Sequence, residues 1–222
     1  MKISPMEVSL IGSFGTDLTV VNAARVSFAK ESVFEKDSET GNEKLSEKDS
    51  KLINYLAKHN HWTPFGHCSA SFRIKAPIFV ARQLGKHQVG LVWNEVSRRY
   101  VDEEPEFWFP KEWRGRPENA KQGSSGVVKN SFMECIREEI GLLLDSYSGM
   151  IQDGIAPEQA RMILPQNTHT EWIWTGTLMA WIRVMGLRLD PHAQQETRDL
   201  VQAIHDQLLP IFPRSIRAWL TK

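Results

Sequence analysis

The stretch from Lys86 to Val101, KHQVGLVWNEVSRRYV, sets imidazole, amide, carboxylate and guanidinium groups among Val89, Leu91, Val92, Trp93 and Val96. In extended backbone alternate side chains point the same way, so Glu95, Ser97 and Arg99 would form one row with Val96 and Arg98 between them. Such a row can hold a ribose and a phosphate, because guanidinium is a planar fork matched to phosphate oxygens and serine adds a hydroxyl. Each charge-assisted contact would contribute about 1.5 to 3 kcal/mol. Just upstream, a helix expected over residues 77–90 places Arg82, Lys86 and His87, with Gln83, at spacings that share a face. A solvated helix face is the plain alternative for that set.

A second group is LRLDPHAQQE. Arg188 and Asp190 precede Pro191 at an expected helix start, with His192 and Gln194 in its first turn. A helix N-terminus favours anions, and a capped helix with a surface ion pair is the competing reading. Arg161, in EQARMILP, is a further basic candidate whose ordinary role is an exposed helix position. In KHNHWTPFGH, His59, His61 and His67 invite a metal, but the HExxH spacing and a supporting acid are missing, so no metal is expected. A turn in which Thr63 and Pro64 offer a hydroxyl and backbone groups to a ligand fits better.

The elements that must position these groups read as α+β: a small antiparallel or mixed sheet followed by a largely helical second half. At 222 residues the chain is expected to form one domain over 1–222, with 30–50 and 117–129 as flexible surface segments. Lys+Arg and Asp+Glu number 27 each, so no general nucleic-acid or membrane-surface binding is expected, and any anion must be gripped locally. The first residues lack a signal-peptide apolar run and no apolar stretch is long enough to span a bilayer, so the expected location is the cytoplasm. Cys68 and Cys135 are read as small core residues, and most of the eight tryptophans as core or interface area.

EVSLIGSFGTDLTVVNAARVSFAK reads as a strand, a glycine turn and a helix from Asp17 to Ala24. A capped helix follows from Ser46 to His59. Cys68, Ala70, Phe72, Ile74 and Ala76 alternate with His67, Ser69, Ser71, Arg73 and Lys75, which marks a half-buried strand ended by Pro77. ENAKQGSSGVVKN reads as a linker. Helices are expected over Ser131–Gln152 and PEQARMIL, then over HTEWIWTGTLMAWIRVMG and PHAQQETRDLVQAIHDQLLPIF.

The ordered blocks HWTPFGH, APIFVARQ, WNEVSRRY, EQARMILP and LRLDPHAQ resemble the flavin-dependent thymidylate synthases, with similarity running from AARVSF at Ala23 to Gln195. The resemblance implies a homotetramer with FAD between subunits and active sites shared between chains. It implies reductive methylation of dUMP to dTMP, with methylenetetrahydrofolate as carbon donor and NADPH as reductant. Carried over residue by residue, it assigns FAD contacts to Ser27, Thr63, Lys86, His87, Gln88, Thr177, Met179 and Arg183, with His192 near the flavin and Glu95 between cofactor and nucleotide. It assigns dUMP contacts to Gln83, Lys86, Glu95, Ser97, Arg98, Arg99 and Arg161, and makes Arg188 the catalytic residue that activates the uracil. Methylation at C5 needs electron density there, which grows when charge at N3 and O2 is stabilised; guanidinium suits that task and does not act as a base. Neither GHCSA around Cys68 nor MECIR around Cys135 resembles the Pro-Cys-His setting of a thiolate nucleophile, so reduced flavin is expected to supply the hydride.

The chain departs from the family pattern at Lys86-His87-Gln88, where Arg-His-Arg is usual, and in one extra residue before Asn94 that leaves Val92 in a serine's place. Lysine loses the fork and glutamine the charge, which implies altered flavin affinity. Similar departures in viral members imply a phage-type enzyme acting in a host cytoplasm. A non-catalytic nucleotide-binding protein on the same scaffold is the rival reading.

Overall fold

Cys68, Ala70, Phe72, Ile74 and Ala76 are all at most 2 % exposed, and that buried row is one face of the strand at the heart of the molecule. The structure is a computed structural model that describes residues 1–37, 41–101, 103–118, 123–128 and 132–222. In chain order the elements are β1 (Lys2–Ile3), β2 (Glu7–Phe14), α1 (Asp17–Arg25), β3 (Glu35–Lys36), β4 (Glu43–Lys44), α2 (Glu47–Lys58), β5 (Ser69–Pro77), α3 (Ile78–Leu84), β6 (Leu91–Glu95) and β7 (Glu106–Phe107). They continue with α4 (Phe132–Gln152), α5 (Pro157–Ala160), β8 (His169–Thr177), α6 (Leu178–Arg188), α7 (Gln195–Leu208) and α8 (Pro213–Leu220). Short 3-10 turns lie at Val26–Phe28, Thr63–His67 and Arg161–Ile163.

The expected α+β class holds. An antiparallel sheet in the order β2-β5-β8-β6 is backed by α3, α6 and α7. Its inner face is a set of edge-to-face aromatic contacts, Phe72 on Trp181 at 5.1 Å and Trp174 on Trp181 at 4.9 Å, a geometry the ring quadrupoles favour. Trp181 also donates its indole N–H to the Ala70 carbonyl at 3.1 Å, fixing α6 to β5. A smaller cluster of Phe107, Ile140, Leu144, Tyr147 and Ala160 joins α4 to the loop around β7.

The second half is less helical than expected. His169–Thr177, expected as helix, is β8, the strand between β5 and β6. Trp172, Trp174 and Gly176 face inward while Ile173 faces out, and threonine, isoleucine and tryptophan all suit a pleated surface. At Gly176 a Cβ would overlap the end of the Leu91 side chain and crowd the Gly90 carbonyl at 3.1 Å, so glycine spares β6 a shift where it lies against β8.

Other boundaries also move. The helix expected over 77–90 ends at Leu84, because Gly85 starts a turn and Gly90, at φ +76°, redirects the chain into β6. The helix expected from Pro191 begins at Gln195, and α8 was not anticipated. Ser131 lies outside the described residues, but α4 otherwise matches its expected span.

The charged segment 30–50 is surface for most of its described length, with β3 paired to β4, but Asp49 is 2 % exposed and ion-paired with Arg25. Residues 38–40 of that segment, and 119–122 and 129 of the other, lie outside the described residues. The part of the expected linker at 123–128 is bonded back onto 113–115, through Gly115 N–H to Gly126 C=O at 2.9 Å and Val128 N–H to Trp113 C=O at 2.8 Å. Cys68 is buried as expected, whereas Cys135 is exposed on α4.

Candidate active site

Gln83 sits in the last turn of α3, which is held to the core by Val80, Ala81 and Leu84. Because that helix stops early, Lys86, His87 and Gln88 lie in the turn between α3 and β6 and share no helix face with Arg82. The turn is closed by His87 N–H to Leu84 C=O at 2.9 Å. Beyond it, β6 pairs with β8 from Leu91 opposite Gly176 to Glu95 opposite Trp172. Trp93 stacks on Trp172 at 4.3 Å and donates to Glu95 Oε2 at 3.0 Å, while Thr170 donates to Glu95 Oε1 at 2.7 Å. Both oxygens of Glu95 are thereby fixed.

Arg188 closes α6, the helix after β8, and so reaches the same corner from the opposite direction. Its Nε donates to His87 Nε2 at 2.8 Å and its Nη2 to the Gln83 carbonyl at 3.3 Å. Burial, and then the neighbouring Arg188 charge, push the His87 imidazole below its ordinary range. A neutral ring that accepts at Nε2 carries its proton on Nδ1. Burial lowers the Arg188 guanidinium too, from a value so high that it remains a cation.

Three hollows are lined by residues of this region. One of about 800 Å³ is lined by Gln83, Arg188, Asp190, His192, Gln194 and Arg114. A second, of about 640 Å³, is lined by Lys86, His87, Gln88, Trp93 and Glu95. The His87–Arg188 hydrogen bond joins a residue of the one lining to a residue of the other. A third, of about 330 Å³, has Trp62, Met179, Arg183, Trp219 and Lys222 on its wall and shares Gly186 with the first. Arg183 lies over the Trp62 ring at 5.7 Å. Thr177 caps α6 by accepting from Ala180 N–H at 3.2 Å, and Thr63 opens the 3-10 turn that follows Trp62.

The remaining expected residues are not gathered here. The Glu95-Ser97-Arg99 row does not form, because β6 ends at Glu95 and Tyr100 N–H closes a turn on the Ser97 carbonyl at 3.0 Å. Arg99 Nε instead donates to Ser97 Oγ at 3.1 Å, and Arg98 to the Glu103 carbonyl at 3.0 Å. Arg161, exposed, donates to the Glu158 carbonyl at 3.3 Å. Ser27 sits in the exposed turn after α1. None of Ser27, Ser97, Arg98, Arg99 and Arg161 lines the three hollows. Val89 and Val92 are exposed rather than packed on a core, as are Tyr100 and Ile173 nearby.

Asp190 caps its own turn, accepting from His192 N–H at 2.7 Å and Nδ1 at 3.0 Å, and not the start of α7. His59 and His61 gather around Tyr55 as an aromatic cluster, with ring centroids 4.3 and 6.0 Å from it. Among the described residues no group of three or more His, Cys, Asp or Glu is placed to hold a metal. Burial, and then Asp17, push the Cys68 thiol up to about 12, and it lines none of the hollows.

Sequence reasoning missed Arg114, Glu196 and Thr197. Arg114 is ion-paired with Glu196 and donates to Ser124 Oγ at 2.8 Å, so Arg114 and Ser124 are tied together on the wall of the largest of the three hollows. Burial pushes the Glu196 carboxyl up, but hydrogen bonds from Arg114 and Gln194 outweigh it and hold the group below its usual range. The signal for this pair was faint: WRGR next to a glycine-rich stretch, and an acid two residues after Gln194.

A family model described as thymidylate synthase complementing protein matches residues 9–214. A flavin-dependent thymidylate synthase of Thermosipho africanus is 34% identical over 215 residues, covering 95% of this chain and 89% of that protein. Another, of Thermus thermophilus, is 35% identical over 198 residues, covering 89% and 69%. Among solved structures, the UMP/dUMP methylase PolB of Streptomyces cacaoi bound with 5-Br dUMP superposes with a TM-score of 0.83 at 27% identity, covering 100% of this chain and 97% of that one. The same enzyme with 5-Br UMP gives 0.82 at 26% identity, covering 98% and 95%.

Proposed function

The chain belongs to the thymidylate synthase complementing protein family, and we propose that it is an FAD-dependent methyltransferase that converts dUMP to dTMP. The observation that carries this reading is the placement of Arg188: it lines the first hollow beside Gln83, bonded to the Gln83 carbonyl and to His87, which lines the second. In our reading uridylate occupies the hollow lined by Gln83, Arg188 and His192. There Arg188 stabilises negative charge at uracil N3 and O2 and so raises electron density at C5. It keeps its proton throughout. Asp190, turned toward His192, and Glu196, matched by Arg114, leave Arg188 as the unpaired cation of that hollow among the described residues.

The residues around the third hollow fit a flavin. Arg183 over the Trp62 ring and Lys222 at 3.5 Å from the Trp219 ring centroid would offer charge to a diphosphate. The buried indole N–H of Trp219 has no protein partner among the described residues, so a ring carbonyl or phosphate oxygen has a donor waiting. Met179, Arg183 and Thr63 would hold FAD on this side, with Lys86, His87, Gln88 and Glu95 on the other. Bound flavin supplies the reducing equivalents of the reaction. We assign methylenetetrahydrofolate as carbon donor and NADPH as reductant, in the cytoplasm, with residues 1–222 acting as a single catalytic domain.

We also propose a homotetramer in which sites are shared. Ser27, Ser97, Arg98, Arg99 and Arg161 line none of these three hollows, and Val89, Val92, Tyr100 and Ile173 are exposed apolar side chains on and next to β6 and β8, which suits a subunit contact. A neighbouring copy would then receive those groups at its nucleotide.

An anaerobic assay with dUMP, methylenetetrahydrofolate, FAD and NADPH tests the reading, omitting each in turn. dTMP should form only from the full set. Turnover that persists after every flavin molecule is stripped would refute it. A colourless protein that binds dUMP but cannot be loaded with FAD would favour the non-catalytic binder.

A further inference from the structure

Thr197, in the first turn of α7, is fully buried, and its hydroxyl donates to Oε1 of Gln83 on α3. A carboxamide has two unlike ends, an accepting oxygen and a donating NH2. With Oε1 committed to Thr197, the end left for a ligand is Nε2, which has no protein partner among the described residues. Gln83 lines the 800 Å³ hollow beside Arg188, and guanidinium also only donates.

We propose that Thr197 is a positioning residue that locks the Gln83 side chain against α7, in the arrangement where Oε1 accepts from Thr197 and the NH2 faces the hollow, so that Gln83 and Arg188 both present donors to an acceptor oxygen of uridylate. That oxygen is a uracil carbonyl or a phosphate oxygen, and the inference rests on the dUMP reading above. Without the hydroxyl the carboxamide loses its anchor on α7, and its NH2 is no longer held toward the oxygen of the ligand.

The test compares Thr197→Val, which removes the hydroxyl at nearly constant volume, with Thr197→Ser, which keeps it. dUMP binding should weaken about tenfold in Thr197→Val and return to within about twofold of wild type in Thr197→Ser, with KM rising and kcat nearly unchanged. Deoxyuridine then locates the oxygen. A loss that persists with it places the contact on the ring, and a loss confined to dUMP places it on the phosphate. Should Thr197→Val not fold, Gln83→Glu replaces the donor end with an oxygen and should weaken dUMP binding further still. Unchanged affinity in Thr197→Val or in Gln83→Glu, or a loss in Thr197→Ser equal to that in Thr197→Val, would overturn the lock while leaving the function intact. A wild-type protein that does not bind dUMP at all would overturn the functional reading and the lock with it.

Discussion

Arg188 Nε and His87 Nε2 lie 2.8 Å apart, a hydrogen bond that ties the end of one helix to the turn leaving another. The bond exists only while the imidazole is neutral, because an imidazolium has no lone pair to offer and would repel the guanidinium.

This makes the site acid-sensitive in a defined sense. The His87 pKa is lowered in the fold, so the proton binds more weakly there than in the unfolded chain. The stability from this contact is therefore present above the unfolded imidazole value and is lost as pH falls through the depressed folded value. The pH profile of kcat/KM should show an acid limb below the ordinary histidine range, and His87→Gln, which retains an acceptor, should flatten it. An unchanged limb in that variant would assign it to another group.

Arg188→Ala should reduce dTMP formation by about a hundredfold or more while flavin binding, read from the visible spectrum, is retained. Arg188→Lys keeps the charge but not the planar fork, and should recover only a small part of the rate. Equal turnover in Arg188→Ala would remove this residue from the chemistry.

Neither sulfur should matter to turnover. A thiol held at about 12 is protonated at neutral pH, and Cys135, exposed on α4, lines none of the three hollows. The Cys68→Ala, Cys135→Ser double variant should turn over within about twofold of wild type, with a stability loss of about 1 kcal/mol from the small gap at position 68. Uridylate trapped covalently on either residue of the native chain would contradict this.

Asp49 should matter to stability and not to catalysis. It accepts from Arg25 Nε at 3.0 Å, Ser32 Oγ at 3.0 Å and Ser46 Oγ at 2.8 Å. Burial raises its carboxyl, but the Arg25, Ser46 and Ser32 hydrogen bonds outweigh that and leave it below the usual range. Its contribution is thus present above the unfolded carboxylate value and lost as pH falls through the lowered one. Asp49→Ala strands the Arg25 charge, and urea melts at neutral pH should show a loss of about 3 to 5 kcal/mol. In acid, as pH falls through that lowered value, the difference between variant and wild type should shrink.

How far the sequence could be read depended on whether a local rule had a competitor. Alternation from Cys68 to Ala76 had none, and β5 emerged with its buried face assigned. Trp172 and Trp174 obey the same period of two, yet they run without a break into Leu178–Arg188, so strand and helix merged into one apolar stretch. Only Thr177, a good cap three residues before Ala180, marked the joint. Gly85 and Gly90 ended a helix that the i, i+4 spacing of Arg82 and Lys86 would have carried further. The family blocks contain Gln83 and Arg188, and His87 lies in the corner that departs from the family pattern, but the bonds from Arg188 to His87, Arg114 to Glu196 and Thr197 to Gln83 all join residues far apart in the chain, and no short-range pattern encodes them.

The central position of β8 also bears on how the protein is made. Ser71 and Thr175, paired across β5 and β8, are 104 positions apart, and β6 has no partner strand except β8 among the described residues. During synthesis the Lys86–Glu95 corner must therefore wait, unpaired and with Trp93 uncovered, until most of the chain has left the ribosome. Such long-range closure slows folding and extends the interval in which a nascent chain can aggregate.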